Sequence, residues 1–159
     1  MEGEEMDEIL GFNELKIGQR VKARGKWSTE NSFGVVEISV RPPSDGASIE
    51  TTLQEIDPQN QTLEIFDRKV ALPKEIEIKG LQDGHKDLKD LSPGVMVKLK
   101  GKYSPQAGFL PEQIKVKETR TFNIDLLQGN INSIDLESKV LNVAGFTLKV
   151  NRKTMITGL

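Results

Sequence analysis

Gly94-Val95-Met96-Val97-Lys98-Leu99-Lys100-Gly101-Lys102-Tyr103-Ser104 restates a stretch met 76 positions earlier, Gly18-Gln19-Arg20-Val21-Lys22-Ala23-Arg24-Gly25-Lys26-Trp27-Ser28. Both glycines, the valine, two lysines and the serine recur in place, and aromatic Trp27 returns as aromatic Tyr103. In each copy apolar or small residues alternate with basic ones. That period of two describes a half-buried strand that shows its cations to water. Working outward, the same offset carries Phe33 to Phe109 and Ile38-x-Val40 to Ile114-x-Val116. Beyond residue 41 the offset becomes 78: Ile56-Asp57 returns as Ile134-Asp135, Leu63-x-Ile65 as Leu141-x-Val143, and Val70-x-Leu72 as Leu148-x-Val150. A two-residue change of offset is one loop insertion, so the pattern is that of a duplicated structural unit.

Most other segments also read as strands. Phe33 to Val40 and Phe109 to Val116 are hairpin partners of the two quoted stretches, joined through Ser28 to Ser32 and Ser104 to Gly108. Ala47 to Ile56 pairs with Gln61 to Phe66 around Asp57-Pro58-Gln59-Asn60, where proline presets a turn dihedral. Arg68 to Leu72 follows, with Glu75 to Ile78 as a short continuation. Leu81, Leu88 and Leu91 stand at helical spacing before Pro93-Gly94 and predict a short helix; Met6 to Leu15 is its counterpart in the other copy. From residue 47 the order is strand, strand, strand, helix, strand, strand. This is the order of a five-stranded OB-type Greek-key barrel. The expected fold is therefore all-β, with two OB-like barrels and short plugging helices. Residues 47–118 form a complete unit. Residues 6–41 supply the helix and last two strands of a second unit, and 122–157 its first three strands.

Composition removes several function classes. The 159 residues include no cysteine, which excludes disulfides, thiolate metal sites and cysteine nucleophiles. A net charge of −2 gives no global attraction to nucleic acid or anionic membrane, so any such argument must be local. The acidic start Met1-Glu2-Gly3-Glu4-Glu5-Met6 does not read as a secretory signal, and no apolar run is long enough to span a bilayer. His85 is the only histidine. With Asp83, Asp87 and Asp90 it reads as a polar helical turn rather than a metal or acid-base site, because the fixed ligand set of a transition metal is missing. Neither a phosphate-binding glycine loop nor a Ser/His/Asp arrangement is present. The expectation is a protein that is not an enzyme and carries no cofactor or metal.

The run from Ile49 to Ile56 into Asp57-x-x-Asn60-x-Thr62-Leu63-x-Ile65, then Val70-x-Leu72, Asp90-Leu91-x-x-Gly94-x-x-Val97-x-Leu99-x-Gly101 and Gln113-Ile114-x-Val116 resembles a bacterial family of small tandem OB-like domains of unknown function. The resemblance implies an exported or cell-envelope protein and no established activity. Glu112 stands where that family has a small apolar residue; Val36 holds the place in the other copy.

Six residues are candidates for ligand binding: Phe66, Lys69, Lys98, Lys100, Lys102 and Tyr103. Cations along one strand face suit phosphates, yet the same lysines also serve as a solvated face that discourages edge pairing. In OB folds the usual binding surface is the second and third strands, where Thr62, Glu64, Phe66 and Lys69 point outward if Leu63, Ile65, Val70 and Leu72 point inward. Trp27, Phe33, Tyr103 and Phe109 fall at strand ends and read as lids on the core. Asp57 and Asp135 read as turn caps, and the sequon Asn60-Gln61-Thr62 as part of a turn. The expected function is a non-catalytic binding or protein-interaction module whose partner is a protein or a second copy of itself. Oligonucleotide or oligosaccharide binding is the alternative.

Overall fold

The structure, a computed structural model, describes residues 11–28, 32–80, 88–117 and 124–158. Met6 to Leu10, Leu81 to Asp87 (with Asp83 and His85), Phe122 and the Phe33 side chain lie outside the described residues. The strands run β1 (Arg20–Ser28), β2 (Ser32–Arg41), β3 (Ala47–Thr52), β4 (Glu55–Asp57), β5 (Thr62–Ile65), β6 (Arg68–Ala71) and β7 (Glu77–Lys79). They continue as β8 (Met96–Ser104), β9 (Gly108–Lys117), β10 (Asp125–Asp135), β11 (Val140–Val143), β12 (Phe146–Lys149) and β13 (Met155–Thr157). The protein is all-β. Where short helices were expected, the described residues hold only single 3-10 turns, Phe12–Glu14 and Leu88–Asp90. The first of these has no side-chain cap at Gly11, and three residues cannot nucleate an α-helix. Each turn still delivers its apolar residues to the interior, Phe12 and Leu15 in one case and Leu88 and Leu91 in the other. No helix among the described residues is long and apolar enough to cross a membrane.

The two ends of the chain meet. β1 lies antiparallel against β10, and β2 runs parallel to β12 and β13. With β10–β11, β11–β12 and β1–β2 also paired, β1, β10, β11, β12 and β2 close a ring. Elsewhere β3 pairs with β8, β8 with β9, and β7 runs parallel to β9, while β4, β5 and β6 form a separate three-stranded sheet. Backbone detail recurs at the sequence offsets. Gln61, Phe66 and Asp67 have φ of 56°, 50° and 58°, and the residues 78 positions on, Lys139, Ala144 and Gly145, have 57°, 50° and 86°. The register of β1 on β2 slips between Arg24 and Gly25, and that of β8 on β9 between Lys100 and Gly101. The extra residues at these bulges are Val36 and Glu112, both exposed. Solvent contact is why one position tolerates either a valine or a glutamate. A Cβ on Gly101 would collide with the backbone of Leu110 and Pro111, so the close approach at this bulge requires glycine.

β3 and β10 pair antiparallel, Ile49 opposite Leu127, Glu50 opposite Leu126 and Ser48 opposite Gln128. Ile49 and Leu127 are themselves 78 positions apart, so the pairing is self-complementary, as across a two-fold axis. One row of side chains crosses the junction, Ile38–Ala23–Leu127–Ile49–Leu99–Ile114, each opposite the next on neighbouring strands and each with no exposure. Strands β2, β1, β10, β3, β8 and β9 thus form one antiparallel sheet whose inner face is a shared core.

Leu127→Ala should cost about 2–5 kcal/mol in urea unfolding, because the cavity opens at the centre of that row. Val36→Ala, at an exposed bulge, should stay within about 0.5 kcal/mol. Removing residues 1–41 strips β10 and β12 of partners. The region after residue 124 should then become protease-sensitive, and persistent protection there would contradict the ring.

Candidate functional site

The register that builds the core also sorts the charges. Along β1 and β8 the residues between the buried positions face outward, and β10 and β3 lie between these two strands. The outer face therefore shows a row Lys22–Gln128–Ser48–Lys100 and, beside it, Arg24–Leu126–Glu50–Lys98–Lys115. Three strand spacings put the β1 and β8 cations about 14 Å apart. The middle of the face is half-buried and nearly uncharged: Gln128, Leu126, Ser48 and Thr52 with a single carboxylate, Glu50. Glu50 pairs with Lys117 at 3.7 Å, and Arg24 with Glu37 at 3.5 Å. Burial is the main reason the Lys98 ammonium is held below its ordinary pKa. Glu50 opposes the shift, while Lys100, Lys117 and Lys115 add to it. Cations are crowded here although the whole chain is slightly acidic.

A second feature lies beside the same junction. A cleft of about 380 Å³ opens where the start of β3 meets the end of β8 and the middle of β10. Tyr103 and Pro105 form an apolar wall, and Asp45, Lys102, Asn130 and Asn132 bring polar groups. Its rim is fixed by Arg20, whose guanidinium donates to the Ser44 and Gly46 carbonyls at 3.2 and 2.8 Å. Asn132 stands at the β10 bulge, where its Oδ1 accepts the Gly145 N–H at 3.2 Å. Gly145 is required there, since a Cβ would come within 3.0 Å of the Tyr103 ring and φ is +86°.

On the other side of the junction the equivalent described positions hold larger side chains that pack on one another. The Trp27 ring meets Phe66 at a tilt of 39° with centroids 5.3 Å apart, and its indole N–H donates to Asp67 at 3.3 Å. Gln54 bridges to Asp67 through its amide in both directions, at 2.7 and 2.6 Å. Buried Asp125 accepts the Trp27 backbone N–H and the Thr51 hydroxyl, each at 2.9 Å. Phe66 meets Phe146 edge-on at 5.5 Å, and Phe146 meets Phe109 at 6.2 Å, so both halves contribute to one aromatic cluster.

The six candidate residues disperse over these features. Lys98 and Lys100 stand on the outer face, and Lys102 and Tyr103 line the cleft. Lys69 lines a separate hollow of about 280 Å³ with Arg68, Phe109 and Phe146. Phe66 is a correction: it is 2% exposed rather than outward. Alternation from Ile65 put it outside, but Phe66 and Asp67 are the two left-handed residues of a tight hairpin turn, and that turn swings the ring inward. Thr62, Glu64 and Lys69 do face away from the core. Asn130, Asn132 and Asp45 were not singled out by sequence, because polar residues at strand ends and bulges look like ordinary solvated positions. His85 lies outside the described residues; among those described, no group of three or more His, Cys, Asp or Glu is placed to hold a metal ion. Comparison with known proteins finds no matching family model, no matching curated relative and no matching solved structure, so nothing in it identifies a family or a bacterial origin.

Asp57 and Asp135 cap their turns. Asp57 accepts the Asn60 side-chain amide at 2.7 Å and its backbone N–H at 3.1 Å; Asp135 accepts the N–H groups of Glu137 and Ser138 at 3.1 and 3.3 Å. The Asn60 side-chain hydrogen bond, foremost, lowers the pKa of Asp57, and the Ser138 N–H foremost lowers that of Asp135. A folded-state pKa below the unfolded one adds stability at neutral pH that is lost as pH falls through the folded value. The stability gap between the parent and Asp57→Ala/Asp135→Ala should therefore narrow as pH falls from about 5 to 2. A constant gap would mean that the caps do not act through their charge.

Proposed function

We propose that the chain is a non-catalytic interaction module of two OB-type units that docks an acidic protein partner on the outer face of its shared sheet. One unit is 47–118; the other joins 6–41 to 122–157. Strand pairing supports the OB reading. In the ring, the first strand β10 neighbours the second and the fourth, and the third neighbours the fifth in parallel, the Greek-key order of such barrels. The other unit follows the same order, with β3 and β4 sharing the role of first strand and β7 taking the parallel contact.

The docking reading rests on one observation: the β3–β10 pairing gathers two basic strands around a half-buried, nearly uncharged centre. An interface with fewer charges in its middle and a charged rim is typical of protein partners, and a cationic rim steers an acidic one. A single strand of nucleic acid is the weaker fit, because the two outward rows carry no aromatic side chain for base stacking.

Poly-L-glutamate and a single-stranded oligonucleotide of equal charge, titrated at physiological salt, test this. The parent should bind the polypeptide, and Arg24→Glu/Lys100→Glu should weaken it about tenfold or more with the fold intact by circular dichroism. Binding to neither polyanion would overturn the reading. Much tighter binding to the oligonucleotide, lost in the same variant, would replace the protein partner with a nucleic acid.

A further inference from the structure

We infer that the cleft beside Tyr103 is a binding site for a neutral sugar, bordered by three small or smaller side chains at positions that hold larger ones on the opposite side of the junction. The offsets of 76 and 78 relate Trp27 to Tyr103, Phe66 to Ala144 and Asp125 to Ala47. On the opposite side the tryptophan ring meets the phenylalanine ring at a tilt and the aspartate accepts the tryptophan backbone N–H. On the open side a smaller aromatic faces two alanines, and these residues line the cleft. The hairpin turn is kept: Phe66 and Ala144 share φ of 50°, and Tyr103 packs on its turn at Gly145 as Trp27 packs on Phe66. At this turn the difference lies in the side chains.

The lining selects the ligand. At about 380 Å³ the cleft falls within the range of small-molecule sites. The rim carries two cations, Arg20 and Lys102, and one carboxylate, Asp45; the Arg20 guanidinium is taken up by the Ser44 and Gly46 carbonyls and by the nearby Asp45 charge, and Lys102 is exposed, so charge contributes little to the choice of ligand. The half-buried groups are the Tyr103 ring and the Asn132 amide. Among the described residues the Asn130 amide, the Asn132 Nδ2, the Lys102 ammonium and the Tyr103 hydroxyl have no protein partner. A flat apolar wall takes the C–H face of a pyranose ring. Side-chain amides offer a donor and an acceptor together, the pattern that reads neighbouring hydroxyls. Pro105 extends the wall toward solvent, so a chain of sugars could continue outward from the first ring.

Saturation-transfer NMR on the full chain, with glucose, galactose, N-acetylglucosamine and their β-linked disaccharides, tests the site; glycylglycine is the zwitterionic control. At least one sugar should receive saturation on its ring protons. Tyr103→Ala should weaken that binding about tenfold, Ala144→Phe should abolish it by restoring the bulk found at residue 66, and Asn130→Ala should weaken it with no change of fold. Val36→Ser, far along the sheet at an exposed bulge, should change nothing. The inference fails if no sugar is saturated at millimolar concentration, if saturation survives both Tyr103→Ala and Ala144→Phe, or if glycylglycine occupies the cleft in preference to every sugar.

Discussion

The pairing of β3 with β10 is the constraint on which the rest depends. Without it each strand would present an edge of unpaired backbone groups. With it, Ile49 and Leu127 come face to face and the buried row from Ile38 to Ile114 runs unbroken through both halves. The small cores expected of units this size are thereby merged into a larger one. Pairing between equivalent strands also explains the aromatic cluster, because it brings the β5–β6 turn with Phe66 against Trp27 on one side and Phe146 on the other.

The same pairing positions both candidate surfaces. It places the lysines of β1 and β8 on one face at a distance a single partner can span, and it leaves a space on each flank of the junction. One space is packed by Trp27, Phe66 and Asp125. The other holds Tyr103, Ala144 and Ala47 and stays open. Residues at matching offsets differ in size, Trp27, Phe66 and Asp125 against Tyr103, Ala144 and Ala47, and the larger set packs together where the smaller one borders the cleft.

Much of this was legible in the chain. The alternation in Val97-Lys98-Leu99-Lys100 fixed which residues of β8 are buried, and the offsets located the strands that continue across the chain ends. The turn at Asp57 to Asn60 could be read from its proline and aspartate. What stayed hidden was tertiary. Nothing local says that β3 pairs with β10, so the two basic strands looked like independent solvated faces. Phe66 looked outward because left-handed φ at a Phe-Asp turn has no strong sequence mark, unlike Asn-Gly. Of the two segments read as helices from their apolar spacing, the described residues show the 3-10 turns Phe12–Glu14 and Leu88–Asp90, and one such turn is enough to bring Leu88 and Leu91 to the core.

One crosslink tests the shared sheet most directly. Ser48 and Gln128 stand opposite each other on β3 and β10, and antiparallel partners have Cα separations of about 4.5–5.5 Å, within the range a disulfide bridges. The chain has no cysteine of its own. Under mild oxidation Ser48→Cys/Gln128→Cys should form an intramolecular disulfide in a monomer, at high yield and with raised resistance to urea. Free thiols, or disulfides only between molecules, would contradict a sheet that joins the two halves through these strands.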